Sequence, residues 1–323
     1  MGIIPYIKIA RPDHWFKNVF MIPGIVLVYA FYPDAVDGIP ALSIFLGFVS
    51  ACLVASSNYV INEILDAERD RFHPEKQTRP IPSGEVKVPV AWFEWALLGA
   101  VGIGIGALIS IPFCVSVALL WVMGLIYNVP PVRMKNLPYG DVLCESVNNP
   151  IRMAMGWYAT GVGSLPTLSV LLAYWMFGAF LMATKRFAEY RMIDDPSRAA
   201  SYRDSFKYYN DERLLESMMF YASLFAMFSG VFIARYRIEL VLATPIVCLC
   251  MAYYTHLGFK ENSPVQTPEN LYKAHKLMIL VALAGVSCIG LLFWDIEIMR
   301  ELFPQWDVLQ SVDASGDAAP VAE

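Results

Sequence analysis

Charge is scarce in this sequence. Only 16% of its 323 residues are Asp, Glu, Lys or Arg, against 57% apolar residues. Soluble globular domains carry about 25% charged and about 45–50% apolar residues. Too few polar side chains remain to coat a soluble surface of this size, so an ordinary soluble fold is excluded. The same shortage, with a net charge of −5, excludes a basic nucleic-acid-binding protein and a disordered chain. Histidine is scarcer still: there are four, and none shares metal-ligand spacing with another. The six cysteines (Cys52, Cys114, Cys144, Cys248, Cys250, Cys288) all fall in apolar runs. We read them as buried small hydrophobes rather than a disulfide framework. No apolar core followed by a small-residue cleavage site opens the chain, so a cleavable signal peptide is not expected.

What is abundant is long apolar sequence. A spanning helix needs roughly 20 mostly apolar residues. Nine stretches qualify, at about 18–33, 40–61, 90–110, 112–128, 141–161, 167–184, 214–234, 238–256 and 275–294. The expected fold is therefore all-α, a polytopic bundle of nine transmembrane helices. Residues 1–17 are expected to form an interfacial segment, 18–296 one transmembrane domain, and 297–323 a short disordered tail. Gly102 and Gly106, with Gly99 and Gly104 nearby, form a small-residue face suited to close helix packing.

The few charges are unevenly placed. Twenty of the 24 Lys and Arg fall at the N-terminus, in the loops after helices two, four and six, or between helices eight and nine. Only Arg235, Arg237 and Arg300 fall on the other side, and Arg152 lies inside a span. The positive-inside rule then puts the N-terminus in the cytoplasm and the C-terminus outside a bacterial-type inner or plasma membrane.

Three polar clusters lie on the basic side. Asn62, Asp66 and Asp70 are spaced i, i+4, i+8 at the end of helix two. On a helix they line one face over about 12 Å. Carboxylates and an amide carbonyl are hard oxygen donors suited to Mg²⁺, which shares its shell with substrate phosphates. Glu63 and Glu68 face away from that stripe, and solvation is their simplest role. Arg71, His73, Lys76 and Arg79 follow directly. Cations beside an acidic ladder fit a diphosphate gripped by metal on one side and by Lys/Arg on the other.

Asp141, Glu145 and Asn149 repeat the spacing at the start of helix five, with Arg152 beyond them. Acidic residues inside a span are costly and usually functional. The bland alternative is a Glu145–Arg152 ion pair holding the bundle together. Lys185 and Arg186 end helix six, where they could bind phosphate oxygens or lipid headgroups. For Arg191, Arg198 and Arg203 a lipid-facing basic belt is the simpler reading. Lys17 and Asn18 reach the same interface from the N-terminal side, and Trp15 reads as a belt residue. The expected metal ligands are thus Asn62, Asp66, Asp70, Asp141 and Glu145, and the four carboxylates among them form the catalytic set. The expected diphosphate-binding residues are Lys17, Asn18, Lys76, Arg79, Arg152, Lys185 and Arg186.

These motifs resemble those of the UbiA superfamily of intramembrane prenyltransferases. Asn62-x-x-x-Asp66-x-x-x-Asp70 matches its first aspartate-rich motif. Asp141-x-x-x-Glu145 occupies the place of the second, with Glu where Asp is usual. Three stretches are similar to the decaprenyl-phosphate phosphoribosyltransferase branch: Arg11-Pro12-x-x-Trp15-x-Lys17-Asn18, Asp66-x-Glu68-x-Asp70-Arg71-x-His73-Pro74, and Lys185-Arg186-x-Ala188-Glu189. The resemblance implies a Mg²⁺-dependent transferase acting on a polyprenyl (di)phosphate. The second substrate is then phosphoribosyl diphosphate or, in the alternative chemistry, an aromatic acceptor. A transporter with intramembrane acids is the competing class, and it predicts ionisable residues at mid-membrane instead of at one face.

Overall fold

The computed structural model describes residues 2–34, 41–71, 76–193, 203–266 and 268–303. His73, Arg198, the side chains of Pro268, Glu269 and Arg300, and the tail beyond 303 lie outside the described residues. The chain is helical, with no strand among the described residues. Two short helices, α1 (Ile4–Ala10) and a 3₁₀ segment (Pro12–Met21), lead into α2 (Ile22–Phe31). Then come α3 (Ala41–Asp70), α4 (Val88–Ile109), α5 (Ile111–Asn128), α6 (Gly140–Ser146) and α7 (Asn148–Ala159). The rest are α8 (Leu168–Ile193), α9 (Asp211–Tyr236), α10 (Thr244–Gly258), α11 (His275–Phe293) and α12 (Glu297–Leu302).

Among the described residues, eight helical stretches are long and apolar enough to cross a membrane. The ninth expected span, 141–161, is instead two short helices meeting at Val147. Pro150 explains the break. It has no N–H to return to the Ser146 carbonyl, and its ring crowds that carbonyl. Two further expectations differ from the structure. The first expected span, 18–33, belongs to a longer helical run, Ile4–Phe31, whose middle, Pro12–Met21, is 3₁₀. Residues 297–302 are helical rather than disordered.

Polar contacts sort the loops into two ends. At one end Glu63 of α3 meets Arg11, Asp66 meets Arg133 and Lys135, and Arg69 meets Asp204. There too Gln266 donates to the Ala188 carbonyl at the close of α8. At the other end Ser164 accepts from or donates to Tyr32, and Arg237 holds the Leu292 carbonyl. Counting α6 and α7 as one crossing, the described helices pass between the ends nine times.

Close packing holds the site-bearing helices. Gly99, Gly102 and Gly106 are buried on α4, and Ser50 donates to the Gly102 carbonyl at 2.7 Å; Gly104 faces open space. The expectation of buried cysteines holds only for Cys52 and Cys144. Cys248 is exposed and the rest are half-buried, and all six are free thiols. An apolar thiol on a lipid-facing surface costs nothing, which is why burial did not follow from hydrophobicity.

Candidate active site

Helix α3 is long for a crossing. Thirty residues rise about 45 Å, against a hydrocarbon core of about 30 Å. Its last turns, carrying Asn62, Asp66 and Asp70, therefore reach the polar end. Helix α8, at 26 residues, overshoots in the same way and brings Lys185 and Arg186 there.

A cavity of about 420 Å³ opens between these ends. Its wall includes Lys17, Asn62, Glu145, Arg152, Lys185 and Arg186, six of the expected site residues. Arg11, Glu189 and Arg203 complete its Lys, Arg and Glu lining, and Asn58, Asn128, Asn148 and Asn149 add amides. Six Lys/Arg side chains thus face two carboxylates. Phe16, Phe20, Leu120, Met123, Leu181 and Met182 give the same wall an apolar part.

The remaining expected residues stand around this cavity and not in its wall. Asp66 is clasped by Arg133 Nη2 at 2.6 Å and Lys135 Nζ at 2.7 Å. Lys135 also donates to Asn128 Oδ1 at 2.9 Å, and that same oxygen accepts from Asn62. The Lys135 ammonium is pushed down to about 8, because burial outweighs the opposing pull of Asp66. Asp70 is buried and pairs with Arg79 at 2.6 Å. Lys76 is half-buried at the same place, and burial lowers its ammonium, with the Asp70 charge opposing.

Asn18 is buried; its Oδ1 accepts from Arg152 Nε at 2.9 Å, and its amide donates to Cys52 Sγ. The Glu145–Arg152 pair does not form: Arg152 is held instead by Asn18 and the Asn148 carbonyl. Asp141 is completely buried among Arg186, Tyr209, Ser205 and Arg203.

Glu63 contradicts the solvated reading. It is 2% exposed, accepts the Ile81 N–H at 3.2 Å and faces Arg11 at 3.9 Å. Glu68 is exposed as expected. Sequence reasoning also missed that Arg133 and Lys135 meet Asp66 and that Arg203 meets Asp141. The first two were visible as a short Arg-x-Lys loop next to an acidic ladder. The third came from a loop that composition assigned to lipid.

The described residues thus form a helical bundle of membrane-spanning length with carboxylates, amides and cations gathered at one end. Comparison with known proteins is specific. The UbiA prenyltransferase family model matches residues 20–280, and the chain belongs to that family. It is an integral multi-pass membrane transferase. The decaprenyl-phosphate phosphoribosyltransferase of Corynebacterium glutamicum is 27% identical over 297 residues, covering 88% of this chain and 85% of that one. The enzyme of the same name from Mycolicibacterium smegmatis is 30% identical over 58% of each chain. A solved UbiA homolog from Archaeoglobus fulgidus, bound to DMAPP and Mg²⁺, has the same fold. Its TM-score is 0.66 at 19% identity, over 87% of this chain and 99% of that one.

Proposed function

We propose that this protein transfers phosphoribose from phosphoribosyl diphosphate to a polyprenyl phosphate, with Mg²⁺, at the cytoplasmic face of the membrane. The observation that carries the proposal is the cavity wall, where six cations and two carboxylates stand beside apolar side chains. A reaction that joins two phosphate-bearing substrates needs such a surplus. The relatives named as decaprenyl-phosphate phosphoribosyltransferases support the choice of donor.

The donor set fits Mg²⁺. Among the described residues no three His, Cys, Asp or Glu side chains converge as in an all-protein metal cage. Mg²⁺ needs no such cage: one or two carboxylates suffice when substrate phosphates and waters complete its shell. Asn62 and Glu145, on the cavity wall, would hold it, joined by Asp66 and Asp70 once Arg133, Lys135 and Arg79 give up their carboxylate oxygens to the ion. Bound there, it neutralises charge developing on a diphosphate leaving group.

The chain's own residues do the rest. Lys17, Arg152, Lys185 and Arg186 bind phosphate oxygens and orient the donor. Phe16, Phe20, Leu181 and Met182 take the first isoprene units of the lipid. A phosphate oxygen of the lipid attacks the anomeric carbon. The bond from that carbon to the diphosphate breaks, and diphosphate leaves with the electron pair. The nucleophile is already an anion, so the step requires no general base.

Three experiments test this. Purified protein is offered labelled phosphoribosyl diphosphate with polyprenyl phosphate, or a labelled prenyl diphosphate with aromatic acceptors. Label only in a phosphoribosylated lipid is expected; label only in a prenylated aromatic would overturn the donor assignment. Separately, EDTA should stop turnover and Mg²⁺ restore it. Asp66→Ala and Asp70→Ala should abolish transfer without loss of folded protein, and full activity in either would sink the metal ladder.

A further inference from the structure

Asp141 is the most completely buried carboxylate near the cavity, yet it is absent from the cavity wall. Four protein donors surround its two oxygens. Arg186 Nε lies at 2.9 Å, Tyr209 OH at 2.7 Å, Ser205 Oγ at 3.3 Å and Arg203 Nη1 at 3.5 Å. Three of the four come from one short stretch, residues 203–209, which crosses the end of the bundle as a strap. A carboxylate already met by two hydroxyls and two guanidinium groups has little lone-pair capacity left for a metal.

The strap is fixed at several points. Asp204 pairs with Arg69 of α3 at 2.8 Å and with Lys207 at 3.1 Å. Burial alone would raise the Asp204 carboxyl, but hydrogen bonds from Arg69 and Lys207 hold it below its ordinary value. Tyr209 is buried, accepts the Tyr139 N–H at 2.6 Å and donates to Asp141. Burial, reinforced by the Asp141 charge, raises its phenol well above the ordinary range, so it stays a donor. The strap thereby ties α3 to α6, the two helices that carry the acidic ladders.

The two guanidinium groups on Asp141 differ. Arg186 is 3% exposed and saturated, with Nε on Asp141 and Nη1 on Glu189 at 2.8 Å. Arg203 is 25% exposed in its side chain and, among the described residues, makes a single long side-chain contact at 3.5 Å. Both line the cavity. A guanidinium has five N–H donors in a planar fork matched to phosphate, and most of those on Arg203 are uncommitted.

We propose that Asp141 is a positioning residue, not a metal ligand, and that the strap it anchors delivers Arg203 as a further phosphate-binding guanidinium beside Arg186. This rests on the reading of the cavity as a diphosphate site. It reassigns one residue of the second acidic ladder and adds one from a loop that reads as lipid-facing. Glu145, four residues after Asp141, keeps its place in the wall.

The test uses full-length protein in detergent and two readouts. The first is initial rate against phosphoribosyl diphosphate and against Mg²⁺. Arg203→Gln should raise the donor KM about tenfold to a hundredfold, the loss of one charge-assisted hydrogen bond, with kcat nearly unchanged. Arg203→Lys should recover part of the loss. Asp141→Asn should raise the donor KM similarly and leave the Mg²⁺ concentration for half activation unchanged, while Asp66→Asn raises it. A Mg²⁺ requirement raised equally by Asp141→Asn and Asp66→Asn would make Asp141 a ligand. An unchanged donor KM in Arg203→Gln would return the strap to a purely structural part. Should Asp141→Asn fail to fold, Tyr209→Phe, which loosens the same anchor, replaces it with the same expected result. The second readout is calorimetric binding of inorganic diphosphate in EDTA, weaker in Arg203→Gln than in wild type. Wild type that binds diphosphate through Arg203 yet uses only a prenyl diphosphate would overturn the donor and keep the strap. Equal diphosphate binding by wild type and Arg203→Gln would overturn the strap alone.

Discussion

Glu63, Glu145 and Glu189 share a side chain and meet three environments. Glu189 is compensated by Arg186 and Lys185. Glu145 faces the cavity with no ion pair among the described residues. Glu63 is buried against Ile81 and Arg11. The i, i+4 spacing of the ladder separates Glu63 from Asn62 and Asp66 but says nothing of its partners, which lie 18 residues ahead and 52 behind. That is the limit of a helical-face argument: it gives direction, and burial depends on what arrives from elsewhere in the chain. Removing the carboxylate would leave the Ile81 N–H without its acceptor and Arg11 without its nearest acid. Glu63→Ala should cost about 1–3 kcal/mol, the penalty for an unsatisfied buried group, read as a lower Tm in detergent. Glu63→Gln should retain more stability than Ala, because its amide oxygen can still accept from Ile81. Equal Tm for all three proteins would show that the contact carries no stability.

Among the elements, the long apolar helices were legible because length and hydropathy decide them. The polar fifth span was legible in position but not in form. Pro150 stands in the sequence, and a single continuous helix was still expected, because a proline kink is common inside spans and the sequence does not say whether the helix bends or restarts. The restart matters for the site. The break falls after Glu145, so Asp141 and Glu145 share α6, Asp141 buried in the protein and Glu145 on the cavity wall, while Asn149 and Arg152 reach the same wall from α7. Helix α7 is set by its contact with the N-terminal segment. A Cβ on Gly24 would collide with the Met153 carbonyl, and one on Gly156 with the Met21 carbonyl. The backbones touch there, and the contact brings Asn18 onto Arg152. Gly156→Ala should therefore wedge α7 from α2, lower the Tm by several degrees and raise the donor KM through a displaced Arg152. Gly104→Ala, which meets open space, is the control and should change neither.

At the scale of the whole molecule, the uneven placement of Lys and Arg anticipated an arrangement that side-chain contacts now group independently. Loops that charge assigns to one side meet one another through Glu63–Arg11, Asp66–Arg133 and Arg69–Asp204. The loops assigned to the other side meet through Ser164 and Arg237. An even number of crossings, or a missed one, would have put some of these partners at opposite ends. The grouping gives sidedness without saying which end is cytoplasmic; the positive-inside rule supplies that, and it weighs Lys and Arg in short loops. Some of those cations serve the cavity, so they are not free topology signals. The orientation therefore has its own test. In a cysteine-free background, single cysteines replace Ser83, in the loop between α3 and α4, and Gly163, in the loop between α7 and α8. Intact cells are treated with a membrane-impermeant maleimide. Gly163→Cys should label in intact cells, and Ser83→Cys only after permeabilisation. The reverse pattern would place the cavity outside the cytoplasm, away from the cell's supply of phosphoribosyl diphosphate, and would count against the proposed donor as well as the orientation.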